Sequence, residues 1–280
     1  MKKIVFFAIF MACIFSSCDE VRDLLPKELT NDEVIAGLKE ALTIGAQVSS
    51  TKASSEDDGF INNSRIRIPL PEEVQGLVDA LSFLDDIPPS VLSAAAVLMP
   101  ALNVDITKQV SDLGDAINGA AQEAAKGAFK VFADVITGID IRDGFDILKG
   151  DYQNSGDTAA THYLRINASN GLREEFMKVV TPAIASMDVI TKFWEPLVST
   201  YATFHNQYTG TSEFTVSLVA NILGIDLPDI PPVPDQNLDS YITNRAIGGL
   251  MLLVGDQEKL IRDNPVGWGT ELLERVFGKK

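Results

Sequence analysis

Apolar residues recur every three or four positions along most of the chain, which is the period of an α-helix with one buried face. Ile35, Leu38, Leu42 and Ala46 set the first such stripe. Thr30-Asn31-Asp32-Glu33 ahead of it has capping-box spacing, so a helix is expected from there to about Val48. Residues 49–58, rich in Ser, Thr, Lys, Glu and Asp, read as a mobile loop. Ile66-Arg67-Ile68-Pro69-Leu70-Pro71 reads as an extended segment, because each proline restricts the residue before it. A second helix should open near Glu72 with Val74, Leu77, Val78, Leu81 and Leu84 inward, and end at Pro88-Pro89. Ser90 then reads as the N-cap of a short helix ending before Pro100.

The strongest periodicity runs from Val104 to Ile136, through Ile106, Val110, Leu113, Ile117, Ala121, Ala124, Ala128, Val131 and Val135. It predicts one long core helix or two kinked halves, since each interior glycine costs up to about 1 kcal/mol against alanine. Its small residues leave room for a partner helix. Further helices are expected over Asp140–Leu148, from Asp157, over Ser169–Val180 and from Ala183 to Tyr208. Residues 209–236, with Gly210, Gly224 and Pro228-Asp229-Ile230-Pro231-Pro232-Val233-Pro234, break the pattern around one short helix. Leu238, Ile242, Ile247, Leu250, Val254 and Ile261 face a last long unit, followed by a terminal helix over Thr270–Phe277. No repeat and no strand alternation stands out. The expected class is all-α: an irregular multi-helix bundle with a long central helix, forming one domain over residues 31–280.

The N-terminus has a different character. Lys2 and Lys3, the apolar run Ile4–Phe15, and Ser16-Ser17 before Cys18 have the layout of a secretory signal peptide. The run falls short of the roughly 20 residues that span a bilayer. Phe15-Ser16-Ser17-Cys18 looks like a bacterial lipobox, so residues 1–17 should be removed and Cys18 lipidated, with 18–30 as a tether. The expected location is the cell envelope, anchored to the membrane through Cys18. Loss of Lys2 and Lys3 leaves 21 basic residues against 39 acidic ones, a formal charge of −18. Such acidity argues against nucleic acid, whose phosphates call for a basic surface. Cys18 is then the only cysteine, so no intrachain disulfide and no cysteine-based zinc site can form.

Gly37-Leu38-Lys39-Glu40-Ala41-Leu42, Asp58-Gly59-Phe60, Asn63 with Ile66–Pro71, Gly156-Asp157-Thr158-Ala159-Ala160-Thr161, and Val276-Phe277-Gly278 occur in an order that resembles the bacterial envelope family known as domain of unknown function 4197. The resemblance spans nearly the whole chain after Cys18. It implies a helical envelope protein and supplies no activity, ligand or catalytic residue.

Motifs for chemistry are sparse. There is no Gly-x-Ser-x-Gly elbow and no phosphate-cradling glycine loop. His162 and His205, the two histidines, do not form a zinc signature. Asp151–Asp157 imitates half of a calcium loop, but His162 stands where a glutamate is required; a polar loop feeding a helix capped by Asp157 explains the residues better. Asp157-Thr158-Ala159 also has the form of an O-glycosylation acceptor. No cofactor and no metal site is expected. Three function classes stay open: a non-enzymatic binding or structural lipoprotein, which is favoured; a cell-wall hydrolase using two of the 39 acids; and a carrier of a small apolar ligand. The partner beyond the membrane is an envelope protein or a small ligand. The candidate site joins Arg65, Arg67, Asp157, Thr158 and Thr161. In an extended strand Arg65 and Arg67 point one way while Ile66 and Ile68 point the other. Thr158 and Thr161 share a face at a helix N-terminus, where an anion is favoured. The alternative is an ion pair between Asp157 and one arginine that staples the extended segment down.

Overall fold

The computed structural model describes residues 28–278, in which ten α-helices and no strand occur. The signal-peptide and Cys18 readings lie outside the described residues. The helices are α1 (Asn31–Ala53), α2 (Glu72–Leu81), α3 (Pro89–Leu98), α4 (Thr107–Gly138), α5 (Gly144–Lys149), α6 (Ala159–Ser186), α7 (Glu195–Thr209), α8 (Glu213–Leu223), α9 (Leu238–Asp263) and α10 (Glu271–Phe277).

Four long helices make the body. α1 packs on α4, α4 on α6, α6 on α9 and α9 back on α1, so they close a ring around one apolar interior. The α4 stripe supplies Leu113, Ile117, Ala120, Ala121, Ala124, Ala125, Ala128, Phe132 and Ile136 to it, all buried. α4 is one uninterrupted helix of 32 residues, about 48 Å long at the usual rise. Its glycines serve close approach. A Cβ on Gly127 would stand 2.7 Å from Val179 of α6, nearer than side chains pack, so glycine sets that spacing.

Two polar positions that break the stripes, Ser50 and Asn118, have a backbone partner across the interface. The segment read as a loop from residue 49 continues as helix to Ala53. Ser50 is buried because its hydroxyl donates to the Ala125 carbonyl (2.6 Å) and accepts from the Phe129 amide (3.2 Å) of α4. Asn118, fully buried on α4, receives the Ile68 amide on Oδ1 (2.7 Å) and gives Nδ2 to the Ile68 carbonyl (2.9 Å). The side chain thus pairs with residue 68 as a neighbouring strand would, and Tyr241 of α9 donates to the Pro69 carbonyl (2.9 Å). The extended reading holds only after residue 66: Ile66 ends a turn, and it and Ile68 are both buried.

Other boundaries differ from expectation. α6 runs unbroken from Ala159 through Ser186 with Pro182 inside it, and a π-helical stretch Val189–Trp194 joins it to α7. Packing of the α6 face on α4 and α9 outweighs the proline's missing N–H. The short helix α3 opens with Pro89 in its first turn and Pro88 as N-cap, so Ser90 lies inside the helix. Among the described residues no single helix is long and apolar enough to cross a membrane.

The proline-rich segment after α8 is a strap over α7. Tyr201 donates to the Pro231 carbonyl (2.7 Å) and Tyr208 to the Pro228 carbonyl (2.6 Å), with Phe204 between the two rings. Prolines lack a donor, and their carbonyls take the phenols instead. Burial pushes both phenols up to about 12, with Asp229 adding to the effect on Tyr208. Since the folded state holds them protonated above their ordinary 10.0, their contribution is complete below pH 10 and is lost as pH rises toward about 12. Thermal melts of the wild type should therefore fall more steeply over that window than melts of the Tyr201→Phe/Tyr208→Phe double variant; parallel curves would mean that the strap is not held by these phenols.

Candidate functional site

The N-terminus of α6 is the first place to look for an anion, and it already holds one. Asp157 is exposed in a 3-10 turn and does not cap the helix; Thr158 occupies the N-cap position without a side-chain bond to the first turn. The open amides are met from α9 instead. Glu258 accepts from the Ala160 amide on Oε1 (2.9 Å) and from the Thr161 amide and hydroxyl on Oε2 (2.7 Å each). Its carboxylate is 1% exposed. One turn on, Arg262 donates through Nε (2.9 Å) and Nη2 (2.7 Å) to Glu258 Oε1. The same guanidinium gives Nη1 to the Leu148 carbonyl (2.6 Å) and Nη2 to the Ile147 carbonyl (2.9 Å), at the C-terminal end of α5. Phe277 of α10 lies 5.3 Å from its Cζ, ring to cation.

The pair thus puts a negative charge at one helix start and a positive charge at another helix end, each on the favourable side of a helix dipole. It closes α5, α6, α9 and α10 at one point.

The five residues singled out from the sequence divide. Arg65 and Arg67 do not lie on a strand, because Asn63 accepts the Arg65 amide on its side chain (3.1 Å) and the Ile66 and Arg67 amides on its carbonyl, making a turn. The two arginines consequently diverge. Arg67 goes to α4, pairing with Asp115 (2.6 Å) and with the Ile61 carbonyl, beside a separate depression lined by Ser64, Leu70 and Gly114. Arg65 goes to α9 and grips Asp256 with both nitrogens, Nη1 to Oδ2 at 2.8 Å and Nη2 to Oδ1 at 3.3 Å. Neither arginine pairs with Asp157, so the staple read from the sequence is replaced by two ion pairs to other helices.

Arg65, Thr158 and Thr161 do share one cleft, of about 270 Å³. Its floor is a face of α9 formed by Gly248, Met251, Leu252 and Gly255, with Asp256 and Lys259 farther along. α6 gives one wall through Thr158, Thr161, His162 and Arg165; Arg65 stands opposite, by its bond to Asp256. The threonine hydroxyls are committed inside the protein, Thr161 to Glu258 and Thr158 to the Ser155 carbonyl (3.2 Å). The cations are freer. Arg165 contacts His162 Nδ1 (3.2 Å), whose Nε2 meets Gln153 Oε1 (3.1 Å). Among the described residues, no carboxylate pairs with Arg165 or Lys259. Counting Arg65, Arg165 and Lys259 against Asp256, the cleft carries a formal excess of two positive charges on a chain whose formal charge is −16.

Arg165, Asp256, Lys259 and the buried Glu258–Arg262 pair went unnoticed in the sequence. One signal was present: counting four from Val254 on the α9 stripe reaches Glu258 and then Arg262, where apolar residues are due. No group of three His, Cys, Asp or Glu that could hold a metal occurs among the described residues, the Asp151–Asp157 loop included.

Replacing Glu258 with Gln leaves Arg262 buried without its counter-charge, which costs about 3–5 kcal/mol in comparable pairs. Chemical denaturation of Glu258→Gln should read a loss of that order, and an unchanged midpoint would show that the pair does not hold these helix ends.

No curated protein and no solved structure shows a match to the chain. A family model described as Protein of unknown function (DUF4197) matches residues 28–85 and 86–278, which takes in the Asn63 turn, the α6 N-terminus and the α9 face that together build the cleft. The chain belongs to the DUF4197 family.

Proposed function

We propose that this chain is an exported lipoprotein, held in the cell envelope by lipid on Cys18, whose helical body binds an anionic molecule without transforming it. The observation that carries the binding reading is the cleft between α6 and α9: Arg165 and Lys259 have no carboxylate partner there, and Arg65 is occupied by a single exchangeable one. On a strongly acidic protein, a local excess of positive charge attracts anions that the rest of the surface repels. The bidentate grip of Arg65 on Asp256 has the geometry by which guanidinium receives carboxylate or phosphate. Asp256 therefore acts as an internal stand-in that an incoming anion displaces. The anchor reading rests on Lys2, Lys3, the apolar run to Phe15 and the small residues before Cys18.

Calorimetric titration of the full-length protein with inorganic phosphate tests the cleft. Arg165→Ala and Lys259→Ala should each weaken binding by about tenfold, as loss of a charge-assisted bond does. Asp256→Asn should tighten it, because Arg65 is released. Equal affinity in all four proteins, or no heat in any, would remove the anion reading. For the anchor, Cys18→Ala should abolish lipid labelling and retention in washed membranes, since stable anchoring needs the acyl chains; retention at the wild-type level would mean that another element holds the protein.

A further inference from the structure

Resting on the anion reading above, we infer that the cleft takes a phosphate monoester with an apolar substituent, its dianionic group on the cations and its hydrocarbon on the α9 floor. Two observations select this class. The first is charge. Three cations against one carboxylate leave an excess of two, and a phosphate monoester carries about −1.5 to −2 near pH 7, whereas a carboxylate carries −1. If the phosphate takes Arg65 from Asp256, Arg165 and Lys259 still supply donors to its remaining oxygens.

The second is the floor. Gly248, Met251, Leu252 and Gly255 fall on one face of α9, at spacings of three, four and seven. Leu252 is 42% exposed, so the cleft presents hydrocarbon to solvent beside its cations. Nothing lies within 4 Å of where a Cβ on Gly248 would stand, so the floor is open at that end. A purely inorganic anion leaves this surface wet. An alkyl or aryl group on the phosphate covers it and gains the usual hydrophobic increment. The α6 wall carries Arg165 four residues from Thr161, on the side of Met251 and Leu252, because α6 and α9 run antiparallel: Thr161 meets Glu258, and Thr181 meets Asp239. The cation nearest the apolar end of the groove therefore accompanies the hydrocarbon floor rather than standing apart from it.

The test compares four ligands titrated into the full-length protein: inorganic phosphate, glycerol 3-phosphate, butyl phosphate and butanoate. Butyl phosphate should bind about tenfold more tightly than glycerol 3-phosphate, which has a similar charge but a polar substituent. Butanoate, with the hydrocarbon and one charge, should bind more weakly than butyl phosphate. Leu252→Gln should erase the preference for butyl phosphate while leaving inorganic phosphate unchanged. Arg165→Ala should weaken all three phosphates. If the three phosphates bind equally and Leu252→Gln changes nothing, the apolar substituent is wrong while the anion site stands; butanoate binding as tightly as butyl phosphate overturns the dianion. If no anion binds, both this inference and the reading beneath it fall.

Discussion

At one end of this molecule the ends of α5 and α6 are joined to α9 through the carboxylate of Glu258 and the guanidinium of Arg262. Two charges taken out of water cost several kcal/mol each, and their mutual attraction repays this only where remaining donors and acceptors are met. Here they are met: three protein donors besides the arginine reach Glu258, and two main-chain carbonyls take Arg262. Those partners lie at the ends of two helices: the α6 amides have no acceptor within their own helix, and the Ile147 carbonyl takes Arg262 in addition to the Gly150 amide. The pair thus permits α5 and α6 to begin and end inside the protein. Breaking either half leaves the other's charge unpaired and removes the partner of one helix terminus.

This arrangement also determines what faces the cleft. Because Glu258 takes the Ala160 and Thr161 amides, the α6 N-terminus offers nothing to an external anion. Residues one turn or less away on the same two helices, Arg165 and Lys259, point the other way and are left to solvent. The inner faces of α6 and α9 carry a neutralised pair, and the cleft on their outer side carries the positive excess. The same helix spacing supplies both, since positions 258 and 262 lie inward while 256 and 259 lie outward.

The long helices were legible because their burial follows a single period. The α1 and α4 stripes read from the sequence match buried faces, and the capping box at Thr30 and Glu33 forms as spaced. What escaped were the places where a side chain settles a distant main-chain group. Ser50 is polar by type, yet it buries because α4 offers a carbonyl and an amide. Pro182 reads as a break, yet it sits in a helix whose face is required on both sides. Asp157 has the chemistry of a cap, but Glu258, 101 positions later, has the position. For the cleft, Arg65, Thr158 and Thr161 were found from local pattern, and Arg67 was misplaced because the Asn63 turn rotates it toward α4. Arg165 and Lys259 gave no local signal, since a lone cation on a helix usually marks a solvated surface.

The span of the buried pair bears on the order of folding. Its bonds join residues 97 to 115 positions apart, from α5 and α6 to the last long helix. Until residue 262 has been made, the Ala160 and Thr161 amides and the Ile147 and Leu148 carbonyls have no charged partner, so a chain emerging from the ribosome carries an unlocked bundle. Closure waits for α9, about a hundred residues after α5 and α6, and loop-closure entropy at such separations slows it relative to a bundle of nearest-neighbour contacts. Locking of the α5 and α6 ends is thereby tied to synthesis of α9.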